Sequence, residues 1–291
     1  MRYRIVHQTT YRYSEPASLS QNEMVLTPRE TETQKVGSCR LQIRPEPQYM
    51  NDRADYFGNQ VRMFMVQHTH TELSMVANSV VDTWPSNVPI ADATPAWEIA
   101  ASQLALHDQP GELEAYQFIF ESPLTSVNAA IKDFAMPSFP SQRPILEAAM
   151  DLMGRIFAEF AYDKAATSVE TAVEQVLRDR KGVCQDFAHL TISCLRSLGL
   201  AARYVSGYLE TQPPPGTPRL VGADASHAWL SLYVPQAGWV DLDPTNNLIP
   251  GERHITLAWG RDYGDVTPVK GVVMGGGKHT LSVKVDVAAQ Q

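Results

Sequence analysis

Hydrophobic and polar residues alternate along the first ninety positions, and the period changes twice further on. Tyr3-Arg4-Ile5-Val6-His7, the stretch from Gly37 to Ile43 and the stretch from Val61 to Val66 place apolar side chains at alternate positions, the spacing of strands with one covered face. Asn51-Asp52, Gly58-Asn59 and Pro45-Glu46-Pro47 fall between them and supply turn chemistry. Residues 1–90 are therefore expected to form a β-rich, sandwich-like domain. From Asp92 to Met136 the alternation fades, and Pro95, Pro110, Pro123 and Pro137 punctuate a helical composition. Residues 91–140 read as a helical connector.

Beyond it the period becomes helical. Apolar residues at 145, 146, 149, 152, 153, 156, 157 and 160 make one stripe on a 3.6-residue repeat, and Pro144 suits the first turn. Thr171 and Glu174 have capping-box spacing at the head of a second helix, whose buried face is Val173, Val176 and Leu177. Gly182 and Gly199 bracket a third helix over 184–198. From Ala201 the period returns to two, in 202–208 and 227–234, and Pro235-Gln236-Ala237-Gly238 reads as a hairpin turn that pairs 227–234 with 239–243. Setting Val234 opposite Trp239 places Leu230 opposite Asp243, about three residues from His227. Helices followed by strands make 141–265 an α+β domain. The alternating tail 281–287, within 266–291, is expected to return to the N-terminal sheet.

Composition narrows the function. The chain carries 24 Lys+Arg against 32 Asp+Glu, a formal charge of −8 with no basic run, which argues against nucleic acid or an anionic membrane as the main partner. The opening lacks the run of about 7 to 15 apolar residues of a secretory signal, and no stretch approaches the roughly 20 of a membrane span; a cytoplasmic location is expected. Cys39, Cys184 and Cys194 are too few and odd in number for a disulfide framework. Cys39 and Cys194 lie inside a strand and a helix and read as small core hydrophobes.

Cys184 is different, because it opens the third helix, where unpaired N–H groups and the dipole favour a thiolate and an oxyanion. His227 follows 43 residues later at the head of a strand, and Asp243 comes 16 residues after that, before Pro244. A nucleophile, a base and an orienting carboxylate make a Cys-His-Asp triad. Other clusters carry less. Cys184, His189 and Cys194 are separated by steps of five, which turn about 140° past a full circle and point to different helix faces, so no metal is expected. His68 and His70 read as a surface pair, Gly275-Gly276-Gly277 as a flexible turn with no phosphate-cradle context, and residues 212–218 as a candidate rim of the cleft. No cofactor is expected.

Gly182-Val183-Cys184-Gln185-Asp186-Phe187-Ala188, Ala202 to Tyr208, Ser226-His227-Ala228-Trp229 and Gly238 to Thr245 together resemble the core of the bacterial transglutaminase-like superfamily, whose members are often described as cysteine proteases. The opening residues resemble the β-rich N-terminal domain that precedes that core. The resemblance implies a papain-like α+β fold, helices packed on an antiparallel sheet, with Cys184 as nucleophile, His227 as base and Asp243 as orienter. Asp241, on the same strand face, is the rival for the last role. Gly260 to Val266 resembles a segment that follows the core and has no role assigned. Transglutaminases proper use an upstream tryptophan as oxyanion donor, and this chain has none between Trp97 and Trp229; Tyr162 is the aromatic candidate. That departure, and the lack of a calcium-loop pattern, argue against calcium-dependent crosslinking of the animal type. The expected chemistry is thiol-dependent acyl transfer at an amide or isopeptide bond of a peptide or protein, with water as acceptor. Transfer to an amine, and a non-catalytic binding role on the same fold, are the alternatives.

Overall fold

The computed structural model describes residues 1–211 and 226–290, so the proposed rim at 212–218 lies outside the described residues. The N-terminal sheet contains β1 (Arg2–Met24), β2 (Gln34–Arg44), β3 (Tyr49–Ala54), β4 (Gln60–Val66) and β5 (His70–Thr83), in the order β2-β5-β1-β4-β3. Two strands from the far end of the chain join it. These are β12 (Val269–Gly275) and β13 (His279–Gln290), and both pair with β1. The first half of β1 runs between β5 and β13, from Arg2 opposite both Asp82 and Gln290, and the second half runs between β4 and β12. Ser14-Glu15-Pro16 lies where β1 changes partners; the register against β5 shifts between Arg12 and Ala17. Proline lacks the N–H a ladder needs, so the irregularity falls where pairing is exchanged. Tyr3, Ile5, Phe64, Leu73, Met75 and Val287 are buried in the core of this sheet.

Two expectations fail here. Asn51-Asp52 is not a turn: both residues lie in β3, an exposed edge strand, with Asp52 opposite Arg62 and bonded to it at 2.6 Å. A cross-strand ion pair outweighs the turn preference of the two residue types. His68 and His70 are not a matched surface pair either. His68 lies outside the strands, whereas His70 begins β5 and is buried, with Ser20 Oγ at 2.9 Å from its Nε2.

The second half is built from α1 (Trp97–Leu106), α2 (Glu112–Tyr116), α3 (Ala129–Ala135), α4 (Ile145–Glu159), α5 (Val173–Asp179) and α6 (Cys184–Arg196). They accompany a sheet of β8 (Ala202–Leu209), β9 (Ser226–Val234), β10 (Gly238–Leu242) and β11 (His254–Gly260), in the order β10-β9-β8-β11. The apolar stripe of α4 is buried as its period predicts except at Phe157, which is exposed. Pro144 sits one place before the first turn, in an extended conformation. The capping box is not formed. Ala172 precedes α5, Thr171 Oγ accepts the Ser168 N–H at 2.8 Å, and the Glu174 carboxylate instead accepts from Ser126 and Asn128 at 2.6 and 2.8 Å. Tertiary donors have taken over the local acceptor. Helix α6 is almost entirely buried, and Leu190, Ile192, Leu195, Leu230 and Leu232 share one core with Val25 and Val61 of the N-terminal strands and loops. Among the described residues no helix is long and apolar enough to cross a membrane.

Candidate active site

Cys184 is the first residue of α6, half-buried. Two short parallel strands, β6 (Ala161–Tyr162) and β7 (Lys181–Gly182), fix the chain before it, with Tyr162 level with Gly182. Asp186 then anchors the helix start. Its buried carboxylate accepts the Val183 N–H at 2.7 Å and the Thr167 hydroxyl at 2.6 Å. Gly182 leaves the room for this. A Cβ there would lie 2.7 Å from Asp186 Cβ and 2.8 Å from its Oδ2.

The β9–β10 hairpin brings the other two residues together. Its observed register sets Gly238 opposite Val234 and Leu242 opposite Leu230, one residue tighter than the sequence predicts. Ala237 N–H closes the turn on the Val234 carbonyl, and positive φ angles at Gln236 (68°) and Gly238 (81°) permit it. Asp243 therefore comes level with Trp229 instead of Leu230, and His227 Nε2 reaches Asp243 Oδ2 at 2.8 Å. Cys184 lies near enough to the His227 ring to raise its pKa, and with Nε2 committed to Asp243, Nδ1 is the nitrogen left for the sulfur.

Asp243 is fully buried and receives five donors. Oδ2 accepts from His227, from His254 at 3.1 Å and from Asn246 Nδ2 at 2.7 Å; Oδ1 accepts the backbone N–H groups of Thr245 and Asn246 at 3.0 and 3.3 Å. Burial alone would raise its pKa, but the His227 and His254 hydrogen bonds overcome that and hold the carboxyl well below the usual range. For His227 burial works toward the neutral ring, and the Asp243 hydrogen bond together with Cys184 outweighs it, raising the pKa to about 9. The ring is cationic at neutral pH.

His254 and Asn246 were not singled out by the sequence. His254 lies on β11 behind Asp243, its ring edge-on to Trp229 with centroids 5.3 Å apart. His227, Asp243 and His254 form a His-Asp-His group of the kind that binds metals. Their contacts at 2.8 and 3.1 Å are hydrogen-bond distances between ring nitrogens and one carboxylate oxygen. Replacing His254 with Phe leaves a buried carboxylate one donor short. The expected cost is about 1–3 kcal/mol of stability, read by urea unfolding, with His254→Gln recovering part of it through its amide.

Asp241, the rival orienter, is engaged elsewhere: its Oδ2 accepts from Trp229 Nε1 at 3.0 Å and its Oδ1 from the Ser231 hydroxyl. Tyr162 is 51% exposed, packs its ring against Phe187 and feels the charges of Cys184 and Asp186 after the larger effect of burial. Cys194 is buried in α6, its thiol pushed up to about 12 by burial; Cys39 is half-buried in β2 and accepts the Ser79 hydroxyl at 3.3 Å. The segment Gly260 to Val266 braces α6 from behind. The Tyr263 N–H donates to His189 Nε2 at 3.1 Å, and the Arg196 guanidinium donates to the Arg261 and Ala202 carbonyls, both at 2.8 Å. Burial lowers the His189 pKa to about 4, so its ring stays a neutral acceptor.

Residues 3–82 match the model of the bacterial transglutaminase-like N-terminal region, and residues 135–244 match that of the transglutaminase-like superfamily. An uncharacterized protein of Mycobacterium tuberculosis is 41% identical across 98% of this chain and 92% of its own length. The chain belongs to the transglutaminase-like superfamily. A second relative of this transglutaminase-like protein, an uncharacterized protein of Mycobacterium leprae, is 34% identical over 98% of both chains. A protein-glutamine gamma-glutamyltransferase of Pseudomonas aeruginosa is 33% identical over 94 residues, 31% of this chain and 14% of that one. The crystal structure of a candidate cysteine protease from Cytophaga hutchinsonii superposes with a TM-score of 0.76 at 20% identity, over 99% of this chain and 90% of that one, and shows the fold: a transglutaminase-like core of helices on an antiparallel sheet. Cys184, His227 and Asp243 all fall within the matched core.

Proposed function

We propose that this transglutaminase-like protein is a thiol-dependent hydrolase of amide or isopeptide bonds in peptide or protein substrates. The observation that carries the reading is the single imidazole of His227 placed between Cys184 and Asp243, with a pKa raised to about 9. The cationic ring gives the sulfur a counter-charge. In the proposed reaction the Cys184 thiolate adds to the carbonyl carbon, and the resulting oxyanion meets the free N–H groups of the first turn of α6 and the Tyr162 hydroxyl. His227 Nδ1 gives its proton to the leaving nitrogen, the C–N bond breaks, and a thioester remains. His227, now neutral, takes a proton from water, which adds to the thioester; the C–S bond breaks, the acid leaves and the imidazolium–thiolate pair returns. An amine in place of water would make the same thioester a transferase intermediate, an alternative favoured by the similarity to the glutamyltransferase segment.

Iodoacetamide near pH 7 is expected to label Cys184 at least tenfold faster than Cys39 and Cys194. Equal labelling would remove the activated-thiol reading. Incubating a peptide library with the protein, with and without a tagged primary amine, separates the two acceptors: cleaved or deamidated products mark hydrolysis, amine-tagged products mark transfer. Protonation of the leaving nitrogen requires the cationic ring, so turnover is expected to fall as pH rises through about 9. The stability sign follows the same group: a folded pKa above the ordinary 6.5 stabilises fully below about 6.5, and this contribution is lost as pH rises through 9.

A further inference from the structure

On the same face of the sheet as His227 lies a second row of polar side chains. Arg203 on β8, Ser231 on β9 and Asp241 on β10 are direct cross-strand partners. Ser231 is four residues along β9 from His227, about 13 Å at strand rise. This row forms the floor of a cavity of about 450 Å³, and the N-terminal segments Glu32 to Gln34 and Thr83 to Trp84 form part of its opposite wall.

The charges in this cavity are incompletely matched. The Arg203 guanidinium lies 4.2 Å from the centre of the Trp239 ring and 3.7 Å from that of Trp259, and Arg29 covers the other face of Trp259 at 3.5 Å. One indole thus separates two guanidinium groups. The Nε atoms of both arginines are shut off from solvent and have no hydrogen-bond partner among the described residues. Asp241 is near enough for its charge to act on Arg203, but the two form no ion pair. Arg203 is only partly exposed and has no ion-pair partner among the described residues, and packing against tryptophan leaves part of its charge unmatched. A ligand that brings a carboxylate to the part of the Arg203 guanidinium lining the cavity would match that charge, the sealed Nε staying out of its reach. A simple anion does not fit the rest of the cavity, because Glu32, Glu114 and Asp241 also line it.

We infer that this cavity binds a small zwitterion of the α-amino-acid type, its carboxylate on Arg203 and its ammonium group facing the acidic side chains. Arg supplies the planar donor fork that suits a carboxylate, and the tryptophans supply apolar wall for a side chain. The site is independent of Cys184. It does touch the catalytic constellation at one place: the His254 ring lines the cavity and also donates to Asp243.

Calorimetric titration of the full chain with glycine, glutamate, lysine and phenylalanine, set against acetate and ethylamine, tests the proposal. At least one amino acid is expected to bind ten times more tightly than either single-charge probe. Arg203→Met and Asp241→Asn should each weaken that binding tenfold or more, and Cys184→Ala should leave it unchanged. Since a change at Arg203 alters buried packing, Glu32→Gln at the rim provides a variant that keeps the core intact and should weaken binding severalfold. Absence of amino-acid binding, equal binding of acetate, or full affinity in both Arg203→Met and Glu32→Gln would overturn the proposal. None of these results bears on hydrolysis, which is read separately from product formation.

Discussion

Asp243→Asn is expected to reduce turnover by about 10³- to 10⁴-fold while leaving the fold intact. The amide keeps the shape of the carboxylate but not its charge. As an acceptor it offers one oxygen to the donors that converge on Asp243, and its NH₂ would face a ring nitrogen of His227 or His254. His227 is then driven toward the tautomer whose proton lies on Nδ1, or loses its cationic form near neutral pH, and the sulfur loses its counter-charge. Loss of this magnitude is what removing the orienting carboxylate costs in serine triads with intact geometry. The check is kcat on the best substrate found by library profiling, with the rate of iodoacetamide labelling of Cys184 in parallel. Both should fall. A variant that folds, labels at the wild-type rate and turns over normally would show that Asp243 does not orient His227. The same substitution at Asp241 should leave labelling close to wild type, since Asp241 bonds Trp229 and Ser231.

The second large effect is structural. Gly207 on β8 lies opposite His227 on β9, and a Cβ there would lie 2.2 Å from the Ile255 carbonyl oxygen and 2.5 Å from the Trp229 ring. Neither obstacle is a flexible side-chain end. Trp229 is fully buried, held by its bond to Asp241, and the Ile255 carbonyl belongs to the neighbouring strand β11. Gly207→Ala must therefore push β8 away from β11 or displace the indole. Overpacking of this kind costs about 1–3 kcal/mol or more, and the cost falls beside His227. We expect a fall in Tm of several degrees, with turnover at permissive temperature reduced as well. Calorimetry and a rate measurement on the same sample check both; an unchanged Tm would contradict the close packing at this position.

The sequence was most informative where one residue type at one spacing served a single purpose. The α4 stripe, the glycine-bounded α6 with Cys184 at its head and the β9–β10 hairpin all follow from periodicity and turn chemistry. The proximity of His227 and Asp243 did not, because the hairpin register depended on one residue in the turn: positive φ at Gln236 and Gly238 tightens it by one position. His254 was invisible for another reason. It lies on a different strand, with no local pattern to distinguish it from a surface histidine, and only tertiary packing brings it behind Asp243. Thr171 and Glu174 show the opposite failure, in which a local signal was present and longer-range donors from Ser126 and Asn128 captured the carboxylate.

The pairing of β1 with β13 joins residues 2–13 to residues 279–290. Contacts of such sequence separation form slowly. During synthesis the opening strand must wait with one edge uncovered until the whole of the intervening chain has left the ribosome, and an unpaired edge is a template for aggregation. Expression yield should accordingly depend on chaperone supply and growth temperature, and nascent chains stalled short of residue 279 should be held by holdases.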